Sequence, residues 1–263
     1  MDNAAVSNNS LVRTGCRTAS KMKIPQMIIF DYGHTLAHEP DFNTLKGETA
    51  LYQYITANPR NLTPAELNEF AASLFKELDT ARKNGFEIHE YQALRLKNEY
   101  LGLQYSVSME EAERIFWDNT SYVAIMPETD KMLDFLNARN IRTAVISNIG
   151  WSGKALTDRL NRLLPENRFE FIIASSEYTI RKPNRMIFEL ALHKAGLSAD
   201  DVWYCGDNPQ ADVEGAAGIG IFPVWYDNAL ECSYRDKSKE AVPGCEHLHI
   251  REWNEMIEKL EAL

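Results

Sequence analysis

At 263 residues, with 44% apolar and 10% aromatic side chains, the chain can bury a sizeable core as one large or two modest domains. Its formal net charge of −10 excludes the basic surface that general nucleic-acid binding needs and disfavours an anionic membrane. An anionic substrate would have to find a local positive centre inside an acidic protein.

Met1–Lys23 is polar, rich in Ser, Asn and Thr, and lacks the apolar centre of a secretion signal. Its four basic residues and single acid resemble a transit peptide, but without an amphipathic stripe residues 1–23 are expected instead to be a disordered extension, or upstream of a true start at Met22. The four cysteines, Cys16, Cys205, Cys232 and Cys245, show neither paired nor metal-type spacing, which fits a reduced, cytoplasmic setting. No apolar run approaches the ~20 residues that a membrane-spanning helix requires.

The first strong signal is Met27-Ile28-Ile29-Phe30-Asp31-Tyr32-Gly33-His34-Thr35, an apolar strand that opens onto an aspartate. Burying a lone carboxylate at a strand end is costly unless it has a partner or a task. Residues 40–122 then read as helices alone: 44–56, 64–83, 89–101 and 108–120. Thr63-Pro64-Ala65-Glu66 and Ser108-Met109-Glu110-Glu111 are helix starts with a capping hydroxyl and a trailing acid. Roughly 80 helical residues exceed the about a dozen that a crossover needs, so they read as an inserted module.

After residue 123 strands and helices alternate. Helix 129–139, strand 141–147, helix 154–164, strand 171–174, helix 184–195 closed by Gly196, and strand 202–205 follow in turn. A loop with a short helix over 208–218, strand 221–225, edge strand 247–250 and helix 253–263 complete the chain. Residues 227–244 read as a long surface loop. This alternation predicts an α/β fold with a parallel sheet between helical layers. Three later strands open onto polar residues, at Ser147-Asn148, Ser175 and Gly206-Asp207-Asn208, so their ends are expected to converge on one site with Asp31.

Four motifs in this order, Asp31-Tyr32-Gly33-His34-Thr35, Ser147-Asn148, Lys182-Pro183 and Gly206-Asp207-Asn208-Pro209-Gln210-Ala211-Asp212, resemble those of the haloacid dehalogenase-like (HAD) hydrolase superfamily over residues 25–225. The resemblance implies a Rossmann-like, three-layer core (24–39 and 123–263) with an all-helical cap (40–122) of the helical-cap subgroup. It implies that Asp31 is a nucleophile forming an aspartyl-phosphate. A Mg²⁺ would be held by Asp31, the Gly33 carbonyl and Asp207, with Asp212 orienting a bound water or the lysine. Lys182 would neutralise Asp31 and the phosphoryl group, with Arg181 the rival cation, and Ser147, Asn148, Thr35 and His34 would surround the phosphate. Thr35 is expected to buttress the loop.

Gly33 is the departure from the pattern, because phosphatases of the family usually carry there a second aspartate that protonates the leaving group. His34 or a cap residue could replace it, the substrate could have a good leaving group, or the protein could be a weakly active regulatory binder. A dehalogenase or a phosphonatase, which lack that acid, are the rival activities; a phosphonatase would need a cap lysine among Lys46, Lys76, Lys83 and Lys97. The leading expectation is a Mg²⁺-dependent phosphohydrolase of a small phosphorylated metabolite, acting as a monomer or homodimer.

Overall fold

The structure, a computed structural model, describes residues 22–234 and 241–263. The expected N-terminal extension lies outside these residues except at its end. There Met22 packs on the core and Lys23 pairs with Asp201 at 2.8 Å.

In chain order the elements are β1 (Met27–Phe30), β2 (Ala37–His38), α1 (Thr44–Tyr52), β3 (Ile55–Ala57), α2 (Pro64–Lys83), α3 (Glu90–Leu101), β4 (Gln104–Tyr105), α4 (Met109–Thr120) and β5 (Ala124–Ile125). Then follow α5 (Thr129–Ala138), β6 (Arg142–Ser147), α6 (Gly153–Leu163), β7 (Phe169–Ala174), α7 (Arg185–Ala195), β8 (Val202–Gly206), α8 (Gly215–Ala217), β9 (Phe222–Tyr226), β10 (Leu248–Ile250) and α9 (Trp253–Glu261).

Six strands form one sheet in the order β10-β9-β8-β1-β6-β7, with every pairing parallel. Alternation along β1 assigns its side chains to two cores. Ile28 and Phe30 pack toward α5, α6 and α9, while Met27 and Ile29 pack toward α7. All four are fully buried. Each contributes about 1.5–3 kcal/mol, which together offsets the several kcal/mol of bringing one ionised carboxylate out of water at the strand's end.

The chain leaves β1 for β6 on one side and later returns to β8 on the other, so β1 is where the strand order reverses. Phe30 pairs with Val145 on β6 and Cys205 on β8. The next residue, Asp31, donates its N–H to the Cys205 carbonyl at 2.9 Å. It therefore emerges between the ends of the two neighbouring strands, in the crevice where parallel α/β sheets bind ligands.

Residues 44–120 are helical, as read, with one correction. The first helix ends at Tyr52, and Ile55–Ala57 pairs antiparallel with Gln104–Tyr105. β-branched Ile55 and Thr56 favour extended backbone, and the Ser106 N–H bonds the Tyr54 carbonyl at 2.8 Å. The insertion thus contains a short ribbon and is not purely helical. A second difference lies before α7. Asn184 accepts the Met186 N–H at 3.0 Å and is the N-cap, so Arg185 begins the helix and Pro183 stands ahead of it. The capping box at Thr63 and Glu66 forms in full.

Candidate active site

At the C-terminal end of the sheet lies a cavity of about 490 Å³. Its floor is a charged cluster just beyond the ends of β1 and β8 and in the segment before α7. The Lys182 ammonium, 3% exposed as a residue, donates to Asp31 Oδ1 at 2.7 Å, Asp212 Oδ1 at 2.5 Å, the Tyr204 hydroxyl at 2.7 Å and the Ile146 carbonyl at 3.2 Å. Burial pulls its pKa down, yet the charges of Asp212 and Asp31 outweigh this and leave it above the ordinary lysine value. Burial raises the Asp31 pKa to about 6 against the Lys182 charge, with Asp212 adding to the rise. At neutral pH Asp31 is therefore mostly ionised.

Lys182 is itself held from behind. Asn148 Nδ2 donates to the Lys182 carbonyl at 2.9 Å, and the Lys182 N–H donates to Asn148 Oδ1 at 2.7 Å. The Asn148 side chain is thus committed to the lysine's backbone, whereas phosphate contact was expected of it. Asp212 accepts the Asn208 N–H at 2.9 Å, and Asn208 caps the turn that begins at Pro209. Gly206 allows this close approach, because a Cβ there would overlap the Asp212 carboxylate.

Asp31, Asp207 and Asp212 each offer a carboxylate oxygen, all within 4.8 Å of one another. Three carboxylates thus converge on one buried spot, with Lys182 against two of them. Three hard oxygen donors this close together fit a divalent cation of the Mg²⁺ type.

Gly33 lines the cavity, and a Cβ built on it would meet nothing within 4 Å. His34 is 5% exposed, with a left-handed backbone and its Nε2 2.7 Å from the Tyr234 hydroxyl. Ser147 ends β6 and lines the cavity beside Asn148. Thr35, expected near the phosphate, is fully buried and outside the cavity lining.

The upper wall comes from the helical insertion. The segment before α3 pairs with the one leading to Lys182. The Glu87 N–H bonds the Thr179 carbonyl at 2.9 Å, and the Arg181 N–H bonds the Gly85 carbonyl at 3.2 Å. Buried Glu87 draws in two cations, Arg82 at 2.8 Å and Arg181 at 3.7 Å. Both arginines and Glu90 line the cavity. Arg181, the rival cation, thus belongs to the wall, while Lys182 reaches Asp31.

Sequence reasoning missed several of these residues. Tyr204 reads as one more apolar strand residue, although its even spacing from Val202 puts both on one face. Glu90 carries no motif, whereas Arg82 stands in the loop Arg82-Lys83-Asn84-Gly85-Phe86 between two helices of the insertion, whose cations the sequence offers to an anionic substrate. The segment read as a plain surface loop also returns to the site. Its Asn228 donates to the His34 carbonyl at 2.8 Å, and Tyr234 lines the cavity.

The profile of the haloacid dehalogenase-like hydrolase family matches residues 28–225. Phosphoserine phosphatase of Thermus thermophilus is 29% identical over 143 residues, 54% of this chain and 55% of that enzyme. The chain therefore matches just over half the length of that relative. Glyceraldehyde 3-phosphate phosphatase of Pyrococcus abyssi is 28% identical over 205 residues, 76% of this chain and 81% of that enzyme. Among solved structures, 2-haloacid dehalogenase of Pseudomonas syringae pv. Tomato is similar with a TM-score of 0.59 at 21% identity, covering 91% of this chain and 99% of that one. A HAD phosphatase of Thermococcus onnurineus gives 0.57 at 18%, covering 89% and 97%. These two likenesses bear on the fold alone.

Proposed function

The chain belongs to the haloacid dehalogenase-like hydrolase family, and within it we propose a divalent-metal-dependent phosphohydrolase of a small phosphorylated metabolite, acting in the cytoplasm. The observation that carries this reading is the clamp of Lys182 between Asp31 and Asp212 with Asp207 alongside. A dehalogenase would have no use for three converging carboxylates, whereas a divalent cation would bind their oxygens and offset the charge of a phosphate dianion.

Asp31 attacks phosphorus, forming an Asp31 O–P bond as the ester P–O bond breaks, and water then hydrolyses the aspartyl-phosphate. Lys182 lies against the nucleophile and neutralises charge that develops on the phosphoryl oxygens. Ser147 and the backbone after β6 receive those oxygens, while Asn148 keeps Lys182 in place. Mg²⁺, held by Asp31 and Asp207 with the Gly33 carbonyl, and with Asp212 behind them, would supply charge neutralisation and orientation of the phosphoryl group. The insertion acts as a cap: it walls the cavity, excludes bulk water and favours small substrates.

The bare Gly33 favours a second reading, carbon–halogen hydrolysis, in which the leaving halide takes no proton. Phosphonate cleavage through a cap lysine is disfavoured, because none of Lys46, Lys76, Lys83 and Lys97 lines the cavity.

Phosphate release from a panel of small monoesters, with Mg²⁺ and with chelator, is the test. Turnover that needs metal and vanishes in Asp31→Asn is the expected result. Halide release from 2-haloacids that survives chelation would replace this reading with the second.

A further inference from the structure

We propose that Glu90, on the helical insertion, is the acid–base residue of this site, doing the work of the carboxylate that Gly33 lacks. The inference rests on the phosphohydrolase reading.

Among the described residues, the cavity has few groups that can carry a proton. Asp31, Asp207 and Asp212 are taken up by the lysine and metal cluster. Glu39 is held by the Tyr32 hydroxyl at 3.0 Å and the Arg159 guanidinium at 2.5 Å. His34 has its Nε2 against the Tyr234 hydroxyl. Glu90 differs from all of these: it lines the cavity, and among the described residues its carboxylate makes no hydrogen bond or ion pair.

Its position is held by the backbone rather than by the carboxylate. The Glu90 N–H donates to the Gly150 carbonyl at 2.7 Å. A Cβ at Gly150 would come 2.8 Å from Glu90 Cγ and 2.9 Å from Arg82 Nη2. Only a glycine, three residues beyond Ser147, lets the two side chains press this closely on the loop that receives the phosphate.

Burial raises the Glu90 pKa to about 7, with Arg82 and Lys97 lowering it and Glu113 and Glu87 raising it. The charged groups around it are thus Arg82 on α2, Glu87 ahead of α3, Lys97 on α3 with its partner Glu48 on α1, and Glu113 on α4. The core side presents uncharged Gly150 and Trp151, with Arg181 further along the wall. A carboxyl that loses its proton near neutral pH can both give and take one during turnover.

In the first step the Asp31 O–P bond forms, the ester P–O bond breaks, and its electron pair stays on the leaving oxygen. That oxygen takes the Glu90 proton, releasing an alcohol and leaving Glu90 ionised. In the second step the Glu90 carboxylate takes a proton from water as the water oxygen bonds to phosphorus. The P–O bond to Asp31 then breaks, giving free phosphate, ionised Asp31 and protonated Glu90.

The test compares wild type, Glu90→Gln and Glu90→Asp on a simple alkyl phosphate and on p-nitrophenyl phosphate, with Mg²⁺, across pH 5–9. Glu90→Gln is expected to lower kcat on the alkyl ester by about 100-fold or more, and on the aryl ester, whose leaving group needs little protonation, by no more than about 10-fold. The limb of the alkyl pH profile near 7 is expected to disappear. Glu90→Asp, which keeps the carboxyl, is expected to recover part of the loss. Equal losses on both esters, or an unchanged alkyl profile, overturn the proposal. If wild type and Asp31→Asn alike release no phosphate, the phosphohydrolase reading fails instead. If Asp31→Asn alone is dead and Glu90→Gln matches wild type, only the role of Glu90 fails.

Discussion

Asn148 grips Lys182 by both backbone polar groups, with bonds of 2.9 and 2.7 Å. The residue that follows Ser147 thereby fixes the residue that neutralises Asp31, across 34 positions of sequence. In this family site the lysine's reach is decided by its backbone, because a four-carbon side chain otherwise has many rotamers to choose among.

Asn148→Ala is expected to remove both bonds and leave two backbone groups poorly satisfied, costing about 1–3 kcal/mol of stability. The kinetic loss should fall mainly on kcat, since the displaced ammonium no longer faces the reacting phosphorus. Urea denaturation and phosphate-release kinetics measure the two effects. Wild-type kcat in this variant would show that Lys182 holds its place without the grip.

Lys182→Met strands two buried carboxylates, Asp31 and Asp212, without their shared cation. The expected cost is about 3–5 kcal/mol. The lost charge lets the Asp31 carboxyl pKa rise further in the folded state. Such a group adds stability below its unfolded pKa and loses it as pH rises through the folded value, so the variant should regain stability as pH falls below 7. Mg²⁺ should raise its melting temperature more than that of wild type, because the cation now answers a larger deficit. Melting curves at pH 5 and pH 8, with and without Mg²⁺, check this; equal metal shifts in the two proteins would count against Asp31 and Asp212 sharing the cation's field.

Gly33→Asp meets no steric obstacle, since a Cβ there has open space around it. With Glu90 supplying the proton, the substitution should change wild-type rates on alkyl phosphates by only a few-fold. In the Glu90→Gln background it should restore about 10-fold or more of the lost rate, because a second acid takes over the transfer. The double variant's kcat on the alkyl ester is the measurement, and equal gains in both backgrounds would mean that the two carboxyls do different work.

Glu90 carries a stability signature that is separate from turnover. Its pKa rises from 4.5 to about 7 on folding, so the ionised form is penalised in the folded state. The stability tied to this group is full below pH 4.5 and is lost as pH climbs to about 7. Glu90→Gln does not titrate, and its stability relative to wild type should increase over that interval and level off above it. Denaturation at a series of pH values measures the difference; a flat difference would mean that Glu90 is not buried as described.

Much of the fold was legible because its signals are local. Apolar runs, helical periodicity, the capping box at Thr63 and the glycine at 196 each act within a few residues, and strand–helix alternation then restricts the topology to a parallel sheet. The same local signals misplaced the end of the first cap helix. Tertiary pairing of Ile55–Ala57 with Gln104–Tyr105 prevailed over a helical spacing that continued to residue 56.

The candidate site divides along the same line. By itself the sequence determined that Asp31, Ser147 and Asp207 stand at strand ends or beside them, since strand termini and turn residues are written in short stretches, and the Lys182-Pro183 pair ahead of a helix was marked by its resemblance to the family motif. Only the tertiary structure decided that Tyr204 shares the lysine, that Asn148 anchors it from behind, and that Glu90 and Arg82 reach the same cavity from the insertion. Those relationships join residues 22 to 34 positions apart on the core, or come from a separate run of helices. They depend on how preformed elements pack, and packing is set by the shape and burial of whole faces, which no short segment of chain contains.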